Sequence, residues 1–353
     1  MKKEIFYKPV FLKNEAELKK MLKQKPYISF VDAFSDQLKE LFFIENHKYI
    51  GEDKNKIYSS EVFKKYCFKK AKNFKYVYYP WNHTIVKTVP KEAYWELKTN
   101  RNQDLITVNE QKKLRDFSVG VFGMSVGSNI AFVLTQAGIS NSITIADFDE
   151  LSTTNLNRIL AGVHQIGLNK TVIAARRIYE DNPFADVKTM SSGVSVKNLE
   201  ALLKRGKLKC LMEEIDNLPM KIEIRILAMK YKVPVIMVTD NGDGVVLHVE
   251  RYDKNLKTIF NKPLTYWKTF LSGNITKEKI GKMIIEDIFG GAQNASLRVM
   301  DSVQKVFNKE IISWPQLGSA AILGGVISTI IIKKIVNKEE MPNSFVKHIQ
   351  HEL

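Results

Sequence analysis

The stretch from Val119 to Gly127, which reads VGVFGMSVG, decides the fold. Its first four residues are apolar, which predicts a short buried strand. Gly123 and Gly127 then flank a turn, and an apolar helical pattern continues from Ser128 to Gln136. In such a strand–loop–helix unit, missing side chains let a phosphate approach backbone N–H groups at the positive end of the helix. Because the spacing is shorter than G-x-G-x-x-G and Ser125 replaces a middle glycine, a plain tight turn is the alternative.

Strand and helix patterns alternate regularly after this unit. The pattern predicts strands at Ser142–Ala146, Ala185–Met190, Lys209–Ile215 and Val233–Val238, and helices at Lys170–Tyr179, Val196–Leu203 and Met220–Tyr231. Alternation of this kind implies a mostly parallel sheet with helices on both faces, and ligands at the carboxyl ends of the strands. The predicted fold class is therefore α/β, a Rossmann-like, doubly wound, mostly parallel sheet with a small N-terminal α/β module.

The character of the chain changes near residue 100. Before that point, strand-like stretches at Ile28–Val31 and Tyr76–Tyr79 accompany a helix-like one at Ser35–Phe43. A polar stretch, Thr99–Asp104, then precedes the alternating pattern. The sequence predicts an N-terminal module over residues 1–98, with a possible role in substrate recognition, and a nucleotide-binding domain over residues 99–353.

Composition indicates an ordinary globular protein with a basic surface. The chain has 353 residues, 44% of them hydrophobic, and a net charge of +16. A basic surface suits partners that carry phosphates or carboxylates, but the lysines are scattered, so a solvated surface is the alternative. The two cysteines, Cys67 and Cys210, are too few for a disulfide framework or a four-thiolate zinc site, which favours a reducing compartment.

A cytoplasmic location is expected, since the N-terminal residues lack an apolar run of signal-peptide length. The most apolar stretch, Leu317–Ile332, is shorter than the ~20 residues of a membrane span and contains several Gly and Ser residues. It is interpreted as a buried or dimer-facing helix, and no membrane association is expected.

A dense polar segment follows the second predicted strand. Asp147 comes 147 − 123 = 24 residues after Gly123, close to the distance at which an acidic residue meets ribose hydroxyls. The groups that follow are two carboxylates, two amides, a guanidinium and an ammonium, carried by Asp147, Asp149, Asn155, Asn157, Arg158 and Lys170. The two cations could neutralise a triphosphate and stabilise charge that develops at its α-phosphorus.

The order of these residues resembles the signature of the ThiF/MoeB/ubiquitin-activating superfamily. Its elements here are Asp-x-Asp at 147–149, Asn-Leu-Asn-Arg at 155–158, and a lysine twelve residues later at 170. Asn100–Asn102 and Glu214–Asn217 match two further segments of these proteins, and Ser313–Gly318 resembles the entry to their dimer-interface helix. The superfamily adenylates carboxylates with ATP, so the resemblance implies an adenylyltransferase.

The resemblance also implies a role for each matching residue. Gly123, Ser125 and Gly127 would form the phosphate loop and Asp147 would hold the ribose, while Asn155, Arg158 and Lys170 would bind phosphates. Asp216 would bind Mg²⁺, and Arg101 would reach the γ-phosphate side of a partner's site, which implies a homodimer. Asp149 and Asn157 are nucleotide ligands or loop caps, and Asp216 could instead cap the helix that begins near Pro219.

Departures from the family pattern narrow the expected chemistry. The zinc-binding Cys-x-x-Cys pairs are absent, and no cysteine follows Cys210, so neither a structural metal nor a thioester is expected. The implied acyl substrate is the C-terminus of a peptide or small carrier protein, or a carboxylate on a modified tRNA. Two alternatives stay open: an NAD-dependent oxidoreductase, and a nucleotide-binding scaffold without catalysis, which the shortened loop with Ser125 favours.

Overall fold

The computed structural model describes residues 6–273 and 276–349, which form two compact units. The first unit ends at Gln111 and also includes Tyr179–Phe184. The second consists of Lys112–Ile178 and the chain from Ala185 onward. Helix α6, Val108–Arg115, contains the boundary between Gln111 and Lys112.

The first unit is a small α/β module built on a four-stranded sheet. Its strands are β1 Val10–Leu12, β2 Ser29–Asp32, β3 Lys75–Tyr79 and β4 Thr84–Thr88. Its helices are α1 Glu15–Gln24, α2 Phe34–Glu45, α3 Lys54–Ser59, α4 Glu61–Lys70 and α5 Lys91–Thr99. The strand order is β1-β3-β4-β2, with β2 parallel to β4 and the other pairs antiparallel. Leu12, Leu18, Tyr78 and Ile85 form part of its core.

The second unit is built on a seven-stranded sheet that contains the predicted alternation. Its strands are β5 Val119–Phe122, β6 Ser142–Ala146, β7 Asp186–Met190, β8 Cys210–Glu213, β9 Val235–Asn241, β10 Gly244–Glu250 and β13 Ser344–Ile349. The order is β13-β10-β9-β8-β5-β6-β7; the run from β9 to β7 is parallel, while β10 and β13 extend it in antiparallel fashion. The predicted fold class is confirmed. The chain order reverses between β5 and β8, which is where ligands bind in folds of this type.

Helices and a small hairpin complete the second unit. The helices are α7 Val126–Gln136, α8 Lys170–Asp181, α9 Val196–Lys204, α10 Leu218–Tyr231, α11 Leu264–Ser272, α12 Lys277–Met283, α13 Leu297–Phe307 and α14 Gly318–Val336. The last three residues of α8, from Tyr179, belong to the first unit. The hairpin pairs β11 Thr258–Ile259 with β12 Lys262–Pro263. Helix α12 runs into a π-helical turn at Ile284–Ile288. Such turns are rare and frequently lie at functional sites.

Helix α14 packs on the sheet rather than standing alone. It contacts α7 and strands β9 and β10, and Gly324 approaches Val238 so closely that an added Cβ would lie 3.1 Å from it. Among the described residues it is the one helix that is long and apolar enough to cross a membrane, yet about half of its apolar stretch is buried inside the protein. Length and composition alone do not distinguish a membrane-spanning helix from a helix that packs in a protein core.

A largely buried ion network lies behind the carboxyl end of β8. The Arg225 guanidinium on α10 contacts Glu213 at 2.7 Å and Glu250 at 2.6 Å, and Lys221 contacts Glu213 at 3.0 Å. Burial opposes ionisation of Glu213, but Lys221 and Arg225 outweigh it and hold its pKa below the usual value. Because buried charges are costly unless they are paired and hydrogen-bonded, this network fixes α10 against β8.

Candidate functional site

The glycine loop lies at the carboxyl end of β5, against the segment that follows β8. Gly123 has φ +91°, and a Cβ at this position would lie 2.3 Å from the Glu214 carbonyl oxygen. At Gly127 a Cβ would lie 2.9 Å from the Val121 side chain. Both glycines are therefore required by the protein's own packing, whatever ligand the loop holds.

Asp147 organises this loop from the end of β6. Its carboxylate accepts backbone hydrogen bonds from Met124 N at 2.6 Å and from Asp149 N at 2.8 Å. Burial raises the pKa of Asp147, and these two hydrogen bonds act against the rise. The predicted ribose-binding carboxylate is thus part of the loop's own hydrogen-bonding scheme.

Asp149 and Lys170 form an ion pair beside Asp147. Lys170 Nζ lies 2.8 Å from the Asp149 carboxylate, and the Lys170 side chain is 8% exposed whereas that of Asp149 is 51% exposed. The Lys170 backbone N–H also donates to the Asp149 carbonyl. A nearly buried ammonium with a solvent-facing partner can exchange that partner for a phosphate at modest cost.

Arg158 lies over the glycine loop. Its Nε donates to Ser125 Oγ at 2.8 Å, and its Nη1 donates to Asn157 Oδ1 at 2.9 Å and to the Thr154 carbonyl at 3.2 Å. Burial lowers the pKa of Arg158, although Asp240 and Asp216 oppose the shift. The structure therefore holds a half-buried guanidinium at the N-terminus of α7, where anions are favoured.

The two predicted asparagines have structural partners. Asn155 caps its own turn, since its Oδ1 accepts from Ser152 N and Ser152 Oγ at 3.0 Å. Asn157 Nδ2 donates to the Gln316 carbonyl at 2.7 Å, just before α14 begins. Asn157 therefore links its own segment to the one that precedes α14 and does not cap its own turn. Asn155 is the residue that caps this turn.

Three carboxylates, those of Glu214, Asp216 and Asp240, lie near the carboxyl ends of β8 and β9. Asp216 is exposed, and it does not cap α10, because Asn217 does so by accepting from Met220 N at 3.0 Å. Glu214 Oε1 accepts from Val238 N at 3.0 Å. Burial raises the pKa of Glu214 well above its usual value. Asp216 is therefore free of the capping role that the sequence left open.

A cavity of about 310 Å³ opens beside these carboxylates. Its polar lining includes Ser125, Glu214, Asp216, Asp240 and Gln316. Its apolar lining comes from α12, the π-helical turn and the segment before α14, through Ile280, Met283, Ile284, Ile288, Phe289 and Trp314. His248 Nε2 donates to the Ile288 carbonyl at 2.6 Å and so ties this wall to β10.

Asp240 is the most deeply buried acid of the cavity, with 6% of its surface exposed. Burial raises its pKa to about 6, while the Arg158 guanidinium and the Gln316 amide act in the opposite direction. The residues Asp240-Asn241-Gly242-Asp243-Gly244 are a turn signal in the sequence, but β9 continues through Asn241, and only Gly242 and Asp243 connect it to β10. Asp240 therefore sits on a strand, next to the proposed site.

The structure brings together most of the predicted site residues. Gly123, Ser125, Gly127, Asp147, Asp149, Asn157, Arg158 and Lys170 surround the carboxyl ends of β5 and β6, and Asp216 lines the cavity shared with Ser125. Arg101 is exposed on a short turn, Asn100–Asn102, in the first unit. Sequence reasoning missed Glu214, Gln316 and the apolar wall, and it did not select Asp240, although its place at a strand's carboxyl end was a usable signal.

A doubly wound sheet with a glycine loop at its switch point defines the Rossmann-like class of α/β proteins. Within this class the chain belongs to the ThiF family, whose sequence profile matches residues 97–351.

Two relatives are similar to this chain in sequence. The "Uncharacterized protein MT1398" of Mycobacterium tuberculosis is 32% identical over 320 residues, which cover 89% of this chain and 41% of that protein. The ubiquitin-like modifier-activating enzyme 5 of Aedes aegypti is 35% identical over 98 residues, covering 28% of this chain and 24% of that enzyme. The chain thus spans less than half the length of either relative.

Solved structures share the fold. The E. coli tRNA N6-threonylcarbamoyladenosine dehydratase TcdA in complex with AMP has a TM-score of 0.50 at 19% identity, covering 69% of this chain and 96% of that chain. A further TcdA (CsdL) structure has a TM-score of 0.52 at 19% identity, covering 71% and 98%. At this identity the likeness concerns the fold.

Proposed function

We propose that this protein catalyses the ATP-dependent adenylation of a carboxylate without a protein thioester. The observation that carries the proposal is the half-buried Arg158 guanidinium, which is held on Ser125 at the N-terminus of α7. Lys170 supplies a second, nearly buried cation close by. An oriented guanidinium, an ammonium that can exchange Asp149 for a phosphate, and a helix N-terminus suit a polyphosphate, because together they neutralise its charge.

In the proposed reaction, a carboxylate oxygen of the acyl substrate attacks the α-phosphorus of ATP in line with the departing pyrophosphate. The new bond joins that oxygen to the α-phosphorus, and the bond from the α-phosphorus to the bridging oxygen breaks. Pyrophosphate leaves, and a second nucleophile later takes the acyl group. Arg158 and Lys170 contribute by orienting the phosphates and by balancing negative charge as it develops.

The residues also fit a magnesium ion that arrives with the nucleotide. No group of three or more His, Cys, Asp or Glu side chains within residues 6–273 and 276–349 is arranged to hold a metal alone. Mg²⁺ is usually bound by one or two carboxylates together with substrate phosphates, so the exposed carboxylate of Asp216 is a suitable ligand. The ion would supply charge neutralisation at the phosphates.

Replacing Asp216 by Asn should lower ATP–pyrophosphate exchange by about a hundredfold or more, because the metal loses its carboxylate ligand and its charge stabilisation is worth several kcal/mol. Exchange would be measured with radiolabelled pyrophosphate against a panel of peptides that end in a free carboxylate, at several Mg²⁺ concentrations. The matched control is Asp186→Asn, an exposed aspartate at the start of β7, at the opposite end of the sheet. Equal exchange by wild type and D216N would remove Asp216 from the site.

The acyl substrate is proposed to be the C-terminus of a peptide or small carrier protein, or a carboxylate on a modified tRNA. The names of two matched proteins, a ubiquitin-like modifier-activating enzyme and a tRNA dehydratase, support these classes. The net charge of +16 would suit a tRNA. A nucleotide-binding scaffold is the second candidate, because the Ser125 hydroxyl occupies the shortened loop; ATP binding without exchange on any substrate would favour it.

A homodimer is part of the proposal. Ile322, Val326 and Ile330 form an exposed apolar stripe along α14, each between 40% and 49% exposed. Their spacing of four places them on one helix face, and such a stripe suits a symmetric helix–helix contact. In this proposal, Arg101 of each protomer completes the nucleotide site of its partner.

Mixing two inactive variants tests this arrangement. R101A and K170A homodimers should each lose exchange, and after subunit exchange their mixture should recover about a quarter of the wild-type rate, since half of the dimers would then hold one complete site. The control mixes K170A with R101A/K170A, which offers no complete site in any pairing. A mixture that stays inactive while light scattering shows heterodimers would contradict a shared site.

A further inference from the structure

The cavity borders the proposed nucleotide site on one side only. Its lining includes Ser125 and Asp216, which the proposed reaction assigns to the phosphates and to Mg²⁺. Four other residues assigned to the nucleotide belong to the described chain but do not line the cavity: Asp147, Asp149, Arg158 and Lys170. Asp147 follows β6, whereas the cavity reaches Val238 on β9, and β5 with its glycine loop lies between these two strands. The ribose and the cavity therefore lie on different sides of the loop, and the cavity suits the second reactant, the acyl substrate.

The charged groups of the cavity lining are already engaged. Lys221 Nζ donates to Glu213 at 3.0 Å, and Glu214 Oε1 accepts from a backbone N–H of β9 at 3.0 Å. Both carboxylate oxygens of Asp240 are buried beneath the surface of the cavity. Asp216 is assigned to the metal ion that arrives with the nucleotide. A charged side chain of the substrate would gain little from this lining and would lose its hydration, which is costly.

The apolar lining is preorganised for an apolar ligand. Apart from the Trp314 indole, the side chains that α12 and the π-helical turn contribute belong to the hydrophobic core of the second unit or pack against it. They are Ile280, Met283, Ile284, Ile288 and Phe289. The hydrogen bond between His248 and the Ile288 carbonyl holds the turn in place. At about 310 Å³ the cavity is near the lower end of the range for ligand pockets, which suits one bulky side chain better than a folded partner.

We propose that the cavity binds a branched aliphatic or aromatic side chain next to the carboxylate that is activated, so that the acyl substrate is a peptide with a bulky apolar C-terminal residue. Ser125 brings the side chain and the carboxylate together, because it lines the cavity and also accepts from Arg158, which is assigned to the phosphates. A carrier that ends in glycine would leave the cavity unfilled. The inference deepens the proposed adenylation and rests on it for the identity of the reactant, whereas the preference for an apolar group can be measured without ATP.

ATP–pyrophosphate exchange with four matched peptides tests this preference in the wild-type, full-length protein. The probes are acetylated tripeptides that differ only in the last residue, which is Leu, Ala, Lys or Glu. The kcat/KM for the Leu peptide should exceed that for each of the others by at least about tenfold, because only the Leu side chain buries a full set of apolar carbons in the cavity. Equal values for the Leu and Ala peptides, or a preference for Lys or Glu, would overturn the inference.

Changing the size of the pocket should change the preference. Ile284→Phe fills part of the cavity, so it should lower kcat/KM for the Leu peptide at least about tenfold relative to that for the Ala peptide. The control is Ile285→Phe, which adds the same bulk to the same π-helical turn at a partly buried side chain outside the cavity lining. I285F should keep the wild-type ratio. An unchanged ratio in I284F, or the same shift in I285F, would contradict the role of the cavity.

Binding without ATP separates this inference from the proposed function. Trp314 lines the cavity and is partly exposed, so its fluorescence emission should move to shorter wavelength when an apolar group enters. The C-terminal amides of the Leu and Ala tripeptides have no carboxylate to activate, and the Leu amide should produce this shift at a lower concentration. A shift that persists in W314F would place the binding elsewhere and overturn the inference.

The two measurements together have distinct outcomes. Selective exchange on the Leu peptide with a selective shift supports both proposals. Equal exchange on the Leu and Ala peptides without a selective shift keeps adenylation and rejects the apolar pocket. A selective shift without exchange on any peptide supports the pocket and argues against adenylation of peptides.

Discussion

Replacing Arg158 by Ala should lower ATP–pyrophosphate exchange by about 10²–10³, the size of effect seen when one preorganised donor is removed from a charge-stabilising site. The structure gives the reason. The guanidinium is half-buried and oriented by Ser125, Asn157 and Thr154, so it is ordered before a nucleotide arrives. A cation of this kind stabilises charge in the transition state without paying for reorganisation.

The Lys variant separates charge from geometry. R158K keeps the charge but cannot reproduce the planar fork that donates to Ser125 and Asn157 together, so it should recover only part of the lost rate. The control is Arg205→Ala, because Arg205 is exposed at the end of α9. The backbone carbonyl of residue 158, which accepts from the Asn129 amide, is unchanged in R158A, so the variant should keep its fold. Circular dichroism checks this. Wild-type exchange by R158A would leave the proposed function without its main support.

The sequence was informative wherever the signal was local. Val119–Phe122 and Ser142–Ala146 were predicted with the bounds that the structure has, because buried parallel strands appear as apolar runs. The polar segment from Asp147 to Lys170 stood out for a related reason, since so many charged and amide groups are not needed for a simple connection. Both the strands and the polar segment are defined by residues that are close together in the chain, so a single sequence is enough to find them.

Features that depend on distant segments could not be predicted in this way. Gln316 and Asn157 are 159 residues apart in the chain, yet they meet through a single hydrogen bond. The turn signal at Asn241-Gly242 gives no indication that Asp240 lies on a strand, because β9 runs three residues beyond Val238, where its apolar pattern ends. Burial and partners of a side chain follow from tertiary packing, which local patterns do not contain.

The buried ion network supports the prediction with the largest effect on stability. Replacing Arg225 by Met should lower the free energy of unfolding by about 3–5 kcal/mol, because it leaves Glu213 and Glu250 buried without their shared cation. Urea denaturation at pH 7.5 would measure the change. A matched control is Lys230→Met on the same helix, since Lys230 pairs with Glu200 at an exposed position and its loss should have little effect. An R225M protein as stable as wild type would contradict this account.

The dependence on pH distinguishes lost charge pairing from lost packing. In wild type the pKa of Glu213 is held low, so its contribution to stability is present above the unfolded pKa and is lost as pH falls through the folded one. In R225M only Lys221 remains beside Glu213, so burial should raise the pKa of Glu213 above its wild-type value, and protonating it should relieve part of the destabilisation as pH falls. The gap between the two proteins should therefore narrow in acid. Replacing Glu213 and Glu250 by Gln in the R225M background should narrow it at pH 7.5 as well, whereas a gap that stays constant in both tests would indicate that Arg225 acts mainly by filling space against Phe260.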